Sequence, residues 1–229
     1  MNVIEHVCEP SRLVLTWQSP DLHGKQRKRY GVADLVRTEN DAVLVYRTND
    51  EVNEARSLGY AGYPAFRMDA REHANALPAF KRRLPPRERS DFAHYLRNFR
   101  LHRCDLSDFA LLAYTEAKLP SDGFGLVDQL QDSCVPSEHL IELAGFRYYL
   151  DNAEGLIEGV PLTLEAEPNN QHDPHAVVFR HNGKCVGYVH RFQAATFNKW
   201  LGRQRIEAVF ERRNGTAERP RAYAFVTVR

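Results

Sequence analysis

Between Ala144 and Val189 the chain places Arg147, Tyr148 and Tyr149, then Asn169, Asn170, His172 and Asp173, then Tyr188. A guanidinium pairs with phosphate, an aromatic ring offers a face to a base, and a carboxylate accepts from a hydroxyl but repels a phosphate. Together these types are what a nucleotide pocket needs. Each piece also has a plain structural reading. In a strand, Tyr148 points one way and Arg147 and Tyr149 the other, so one tyrosine serves as core with its hydroxyl at the rim. Glu167 to Pro174 is first of all a turn, because Asn, Asp and Pro form turns and Asp173 can bond a backbone N–H.

Catalytic signatures are missing from the sequence. It has no G-x-S-x-G elbow, H-E-x-x-H pair, phosphate-binding P-loop or kinase motif set. Asp173 could orient His172 or His175, but no Ser or Cys is spaced to complete a nucleophilic group. Cys8, Cys104, Cys134 and Cys185 form no C-x-x-C pair and have no His at ligand spacing, so no metal site and no cofactor are expected. The N-terminus lacks an apolar run suited to a signal peptide, which points to a cytoplasmic, bacterial-type protein with reduced thiols.

The elements that must carry these residues fall into two groups. Leu13–Gln18, Arg29–Val36 and Ala42–Tyr46 read as strands. Asn49-Asp50 caps a short helix over Glu51–Leu58, which Gly59 ends. A second helix starts at Pro85-Pro86 and runs to Phe99, with Phe92, Tyr95, Leu96 and Phe99 as one apolar stripe and a basic opposite side. Ser107 caps a third helix that buries Phe109, Leu112 and Ala113, and turns are expected over 19–24 and 120–123. Beyond a polar stretch at Gln129–Pro136 the chain turns to strands: Leu143–Leu150, Pro161–Glu167, Ala176–His181 and Lys184–His190. Asn182-Gly183 supplies a strong hairpin signal between the last two. A helix over Gln193–Leu201 and a strand pair, Ile206–Glu211 with Ala222–Val228, complete the chain. The expected fold is α+β: a small α+β domain over 1–135, then a partly open OB-like or SH3-like β-barrel over 136–229. A flatter α+β sheet is the competing architecture.

The net charge of +1 hides two opposed patches. Residues 71–103 hold nine Lys/Arg against three Asp/Glu, and residues 104–142 hold one Lys against eight acids. Lys81, Arg82, Arg83, Arg87 and Arg89 form a second basic patch, suited to a DNA track, to an acidic partner, or simply to a solvated helix face.

The pieces G-F-R-Y-Y, L-T-L-E-A-E-P-N-N-Q-H-D-P-H-A-V and N-G-K-C-V-G-Y-V resemble the HIRAN domain, from about Leu143 to the C-terminus. The resemblance implies an OB-like barrel that binds single-stranded DNA at a free 3′ end. Arg147 would contact phosphate, Tyr148 and Tyr149 would line the pocket, and Asn170 and Asp173 would bond the terminal sugar or base. Asp173 would accept from the 3′-hydroxyl, and Arg191 would make a further phosphate contact. Two positions depart from the family pattern. His172 stands where a Tyr can flank the base, and Tyr188 where eukaryotic members carry His.

R-L-V-L-T-W-Q, R-Y-G-V-A-D-L-V-R, Y-R-T-N-D-E-V-N-E-A and L-P-A-F-K-R-R-L-P-P-R-E-R-S-D-F distantly resemble the N-terminal subdomain of HipA-type proteins. No kinase core follows, so this resemblance implies a scaffold or partner-binding module. The expectation is a non-catalytic protein that holds single-stranded DNA at a 3′ end, in repair, replication or defence. The alternative is a regulator that binds a kinase-like or toxin-like protein through its N-terminal half.

Overall fold

The computed structural model describes residues 2–20, 28–119 and 122–229. Of the expected turns, Asp21, Leu22, His23, Gly24, Pro120 and Ser121 lie outside the described residues. By internal contact the chain divides into a first unit, residues 9–93 with 105–129, and a second, residues 1–8, 94–104 and 130–229. The expected division at 135 is linear, whereas this grouping places two N-terminal segments with the C-terminal unit.

In the first unit, β1 (Arg12–Gln18), β2 (Arg29–Arg37), β3 (Ala42–Tyr46), β4 (Glu72–His73) and β5 (Phe124–Asp128) form an antiparallel sheet of order β4-β3-β2-β1-β5. Leu13, Val14, Leu15 and Thr16 are all fully buried, as a strand covered on both faces requires. Asn49 caps α1 (Asp50–Ser57) by accepting from the Val52 N–H, and Ser107 caps α4 (Asp108–Thr115) by accepting from the Ala110 N–H. Between them in sequence lie α2 (Leu77–Lys81) and α3 (Phe92–Asn98), of which residues 94–98 belong to the second unit. The helix expected over 85–99 shrinks to α3, and the chain leaves it through Arg100 at φ +65°. Strand β5 was hidden because F-G-L-V-D is short and carries a glycine, and its pairing with β1 is a long-range contact.

The second unit is a six-stranded antiparallel sheet of order β6-β11-β10-β7-β8-β9. Its strands are β6 (Ser137–Glu142), β7 (Pro161–Ala166), β8 (Val177–His181), β9 (Lys184–Tyr188), β10 (Ile206–Gly215) and β11 (Pro220–Val228). Strand β7 meets β10 at only two residue pairs, so the sheet is loosely joined there. Its two outer strands curl toward each other, because Ala144, just after β6, forms an antiparallel bridge with Tyr188 of β9. The curled sheet is the partly open barrel expected from the succession of strands with one helix between them. Helix α5 (Arg191–Leu201) buries Ala194, Phe197 and Trp200 against it, with Phe146, Phe179, Val186 and Phe210 in the same core. Asn182 and Gly183 adopt φ of 49° and 76°, the paired positive values that a two-residue hairpin needs.

Leu143–Leu150 is not a strand, contrary to expectation. Short 3₁₀ turns span Phe146–Tyr148 and Leu150–Asn152, after Gly145 at φ +77°. Burial supplies the reason. Leu143 and Phe146, three residues apart, are both buried, which suits a turn and breaks the two-residue alternation of a strand. Strand β6 instead lies earlier, over S-E-H-L-I-E, where Ser137, Glu138 and His139 are buried and polar.

The N-terminal segments are built into this unit. The Ile4 N–H donates to the Arg100 carbonyl at 2.9 Å, and Ile4 and Leu101 are fully buried. The Glu138 carboxylate accepts from the N–H groups of Glu5 and His6, each at 2.9 Å. Cys8 and Cys134, with Cα atoms 6.1 Å apart, are joined by a disulfide. This corrects the expectation of four reduced thiols: 126 residues separate the pair, and only the fold brings them together. Cys104 and Cys185 are free.

His139 predicts a pH effect. Its ring stacks on Trp200 at 5.5 Å and its Nε2 lies 3.0 Å from the Ser137 hydroxyl. Burial lowers its pKa from 6.5 to about 4, against the opposing pull of the Glu138 charge. The unfolded chain therefore takes up this proton first as pH falls. Stability is full above about 6.5 and declines toward pH 4 by roughly 3 kcal/mol from this group. Urea unfolding at several pH values should show that slope in the wild type and a much flatter one in His139→Phe. Equal slopes would mean that His139 is not held neutral by burial.

Candidate nucleic-acid interface

The Ala144–Tyr188 bridge organises the site. The Ala144 N–H donates to the Tyr188 carbonyl at 2.7 Å and the Tyr188 N–H returns to the Ala144 carbonyl at 2.9 Å. Gly187 makes this approach feasible. It has φ +149°, and a Cβ there would sit 2.9 Å from the Leu143 Cβ and 3.1 Å from the Ala144 carbonyl oxygen. The bridge thus sets the turn that carries Arg147, Tyr148 and Tyr149 beside the end of β9.

On that turn Arg147 and Tyr148 are exposed, Tyr148 by 52%. The Arg147 guanidinium lies 4.6 Å from the Tyr148 ring centroid, and its Nη2 donates to the Tyr148 hydroxyl. Tyr149 is half-buried and faces Tyr188, with ring centroids 6.0 Å apart. The cation therefore pairs with Tyr148 rather than sharing a strand face with Tyr149, a direct result of the 3₁₀ geometry. Burial first, then the Tyr149 hydroxyl, the Cys185 thiol and the Glu167 carboxylate, raise the Tyr188 phenol well above its ordinary value. Burial likewise raises Tyr149 and the Cys185 thiol. Both phenols stay protonated at neutral pH and can donate hydrogen bonds.

The turn after β7 reaches the same place through Glu167. The Tyr188 hydroxyl donates to Glu167 Oε2 at 3.1 Å, and Asn170 Nδ2 donates to the same oxygen at 3.1 Å. Asn170 Oδ1 in turn accepts from the N–H groups of His172 at 2.9 Å and Asp173 at 3.2 Å. Both ends of the Asn170 amide are engaged within the protein, so this residue builds the turn. Asp173 Oδ1 accepts from the His175 N–H at 2.8 Å, while its Oδ2 has no hydrogen bond among the described residues. The plain turn reading and the pocket reading are both realised, by different atoms of the same side chains. His172 is exposed on this turn. Arg191 is exposed on the first turn of α5, three residues beyond Tyr188, with its guanidinium 4.4 Å from the Phe192 ring.

Residues 138–228 match the HIRAN domain. The matched residues include the Ala144–Tyr188 bridge, the R-Y-Y turn and the Asn170–Asp173 turn. The chain is also similar to the HIRAN domain of human HLTF, at 22% identity and a TM-score of 0.32, over 40% of this chain and 74% of that one. A structural-genomics target protein from Lactobacillus plantarum is similar at 18% identity and a TM-score of 0.33, over 39% of this chain and 90% of that one. No curated protein matches the chain.

The second basic patch does not form as expected. Arg83 is buried and forks onto Asp122 at 2.7 and 2.9 Å while donating to the carbonyls of Ala117 and Phe124. Lys81 and Arg87 both pair with Asp108, and Arg89 pairs with Asp91. Arg82 is exposed. The local excess of cations is spent on nearby acids because α4 begins at Asp108, a long-range contact that a charge count along the chain does not register. Arg100, just past the end of the expected basic helix, pairs with buried Glu211. Glu167 and Arg180 were not singled out from the sequence. The E-P-N-N motif contained the first, but its chemistry reads as a turn until Tyr188 and Arg180 are brought to it.

Proposed function

We propose that the HIRAN region binds single-stranded DNA at a free 3′ end without catalysing a reaction, as a module in DNA repair, replication or defence. The observation that carries this reading is the barrel-closing bridge. It sets an exposed Arg147–Tyr148 cation–π pair and the Tyr149–Tyr188 rings beside a turn that presents Asp173. Arg147 would contact a backbone phosphate with the donors that Tyr148 does not use. Tyr148, half of whose surface is open, would stack on a base, with His172 available at the turn. The unengaged Asp173 Oδ2 would accept from a 3′-hydroxyl, and its charge would disfavour a 3′-phosphate. Arg191 would add a second phosphate contact. The HipA-type resemblance of the first unit supports a scaffold or protein-binding role for it.

Fluorescence anisotropy with short oligonucleotides that end in a 3′-hydroxyl or a 3′-phosphate tests the reading. The hydroxyl end is expected to bind more tightly. Arg147→Ala should weaken both by roughly 10–100-fold and reduce the salt slope by about 0.7. Asp173→Ala should narrow the difference between the two ends more than it weakens binding. Equal affinity of the wild type for both ends would overturn end recognition. Strand cleavage in the presence of magnesium would overturn the non-catalytic part.

A further inference from the structure

Glu167 is the most heavily engaged side chain of the site, and nothing in the reading above gives it a role. It follows β7 directly. Its N–H donates to the Ala176 carbonyl at 2.8 Å and its carbonyl accepts from the Asn170 N–H at 3.0 Å, so its backbone frames the turn. Three donors converge on its carboxylate. Arg180 Nη2 of β8 reaches Oε1 at 2.8 Å, while the Tyr188 hydroxyl of β9 and Asn170 Nδ2 share Oε2. Arg180 also donates through Nε to Glu165 at 2.7 Å. One carboxylate therefore joins β8, β9 and the loop that carries His172 and Asp173.

Every partner of Glu167 is a donor. Only a group that accepts at both oxygens satisfies all three, because an amide in its place would turn an NH₂ toward one of them. We propose that Glu167 is the positioning residue of the DNA-end pocket: it fixes the Tyr188 ring and the Asn170–Asp173 turn relative to each other, and Arg180 ties it to β8. The proposal rests on the reading of the site given above.

Positioning and plain electrostatics predict opposite signs. If Glu167 acted only as a negative charge near the DNA, Glu167→Gln would tighten binding. If it positions the pocket, the same substitution weakens binding. The experiment uses the full chain and a fluorescein-labelled oligothymidine with either a 3′-hydroxyl or a 3′-phosphate. Glu167→Gln is expected to weaken the hydroxyl end by roughly tenfold, the loss of one charge-assisted hydrogen bond, and to bring the ratio between the two ends close to one. In an ultraviolet difference titration, one phenol should ionise at lower pH in Glu167→Gln than in the wild type, since the carboxylate that accepts from Tyr188 is gone.

Tyr188→Phe keeps the ring and deletes its tether to Glu167, and serves as the deciding variant should Glu167→Gln fail to fold. It should lose end selectivity while the barrel stays intact by circular dichroism. An end-selective wild type with unchanged or tighter binding by Glu167→Gln, or with undiminished selectivity in Tyr188→Phe, overturns the positioning role alone. A wild type without end selectivity overturns the functional reading beneath it, so the two failures are distinguishable.

Discussion

Gly187→Ala is expected to destabilise the second unit by about 2–6 kcal/mol and to abolish the proposed oligonucleotide binding with it. Two costs combine. A side chain at φ +149° is strained, on the order of 1–3 kcal/mol, and the new Cβ overlaps Leu143 and the Ala144 carbonyl, a further 1–3 kcal/mol of overpacking. Both neighbours are at the bridge itself, so relief means separating Ala144 from Tyr188. That separation moves the R-Y-Y turn away from Tyr188 and opens the barrel where the site lies. Urea unfolding and anisotropy on the same preparation check it. Gly202→Ala, where an added Cβ meets nothing closer than 3.7 Å and the backbone is right-handed, is the control. A Gly187→Ala protein that melts like wild type and binds DNA would show that the bridge does not organise the site.

Arg100→Ala carries a comparable penalty for a different reason. Glu211 is fully buried on β10, where the register shifts between Phe210 and Arg212 and turns one extra residue inward. Its carboxylate is held by Arg100 and by Asn2 Nδ2 at 2.7 Å. Removing the guanidinium leaves a buried charge with one neutral donor, which costs about 3–5 kcal/mol. For a unit of this size the melting temperature should fall by roughly 10–20 °C. The double variant Arg100→Met, Glu211→Met should recover most of the loss, since replacing both ions by apolar groups avoids the unpaired charge. A single variant that melts within a few degrees of wild type would refute the assignment. The same result would place residues 94–104 outside the barrel's stability, although they lie far upstream of the HIRAN match.

Local pattern and local chemistry decided a good part of this protein. Short apolar runs bounded by polar turns specified β1, β2 and β3, alternation specified β7, and Asn182-Gly183 specified the β8–β9 hairpin because only residues tolerant of positive φ close so tight a turn. Asn49 and Ser107 marked helix starts because their side chains bond N–H groups within one helical turn. The residue types of the pocket were visible for the same reason: R-Y-Y, N-N-x-H-D and G-Y are contiguous motifs whose chemistry does not depend on their surroundings.

What the tertiary structure alone decided is everything that depends on contacts between distant residues. The R-Y-Y segment looked extended and is a 3₁₀ turn, because both Leu143 and Phe146 find room in the core. The basic residues 81–89 looked like a surface and are mostly paired, because Asp108 and Asp122 come to them. Cys8 looked isolated and meets Cys134. Glu167 looked like part of a turn, and its carboxylate joins two strands and a loop. Charge, thiol and carboxylate each acquire their role from what lies within about 3 Å, the range over which hydrogen bonds and close ion pairs act. Sequence separation carries no information about that distance.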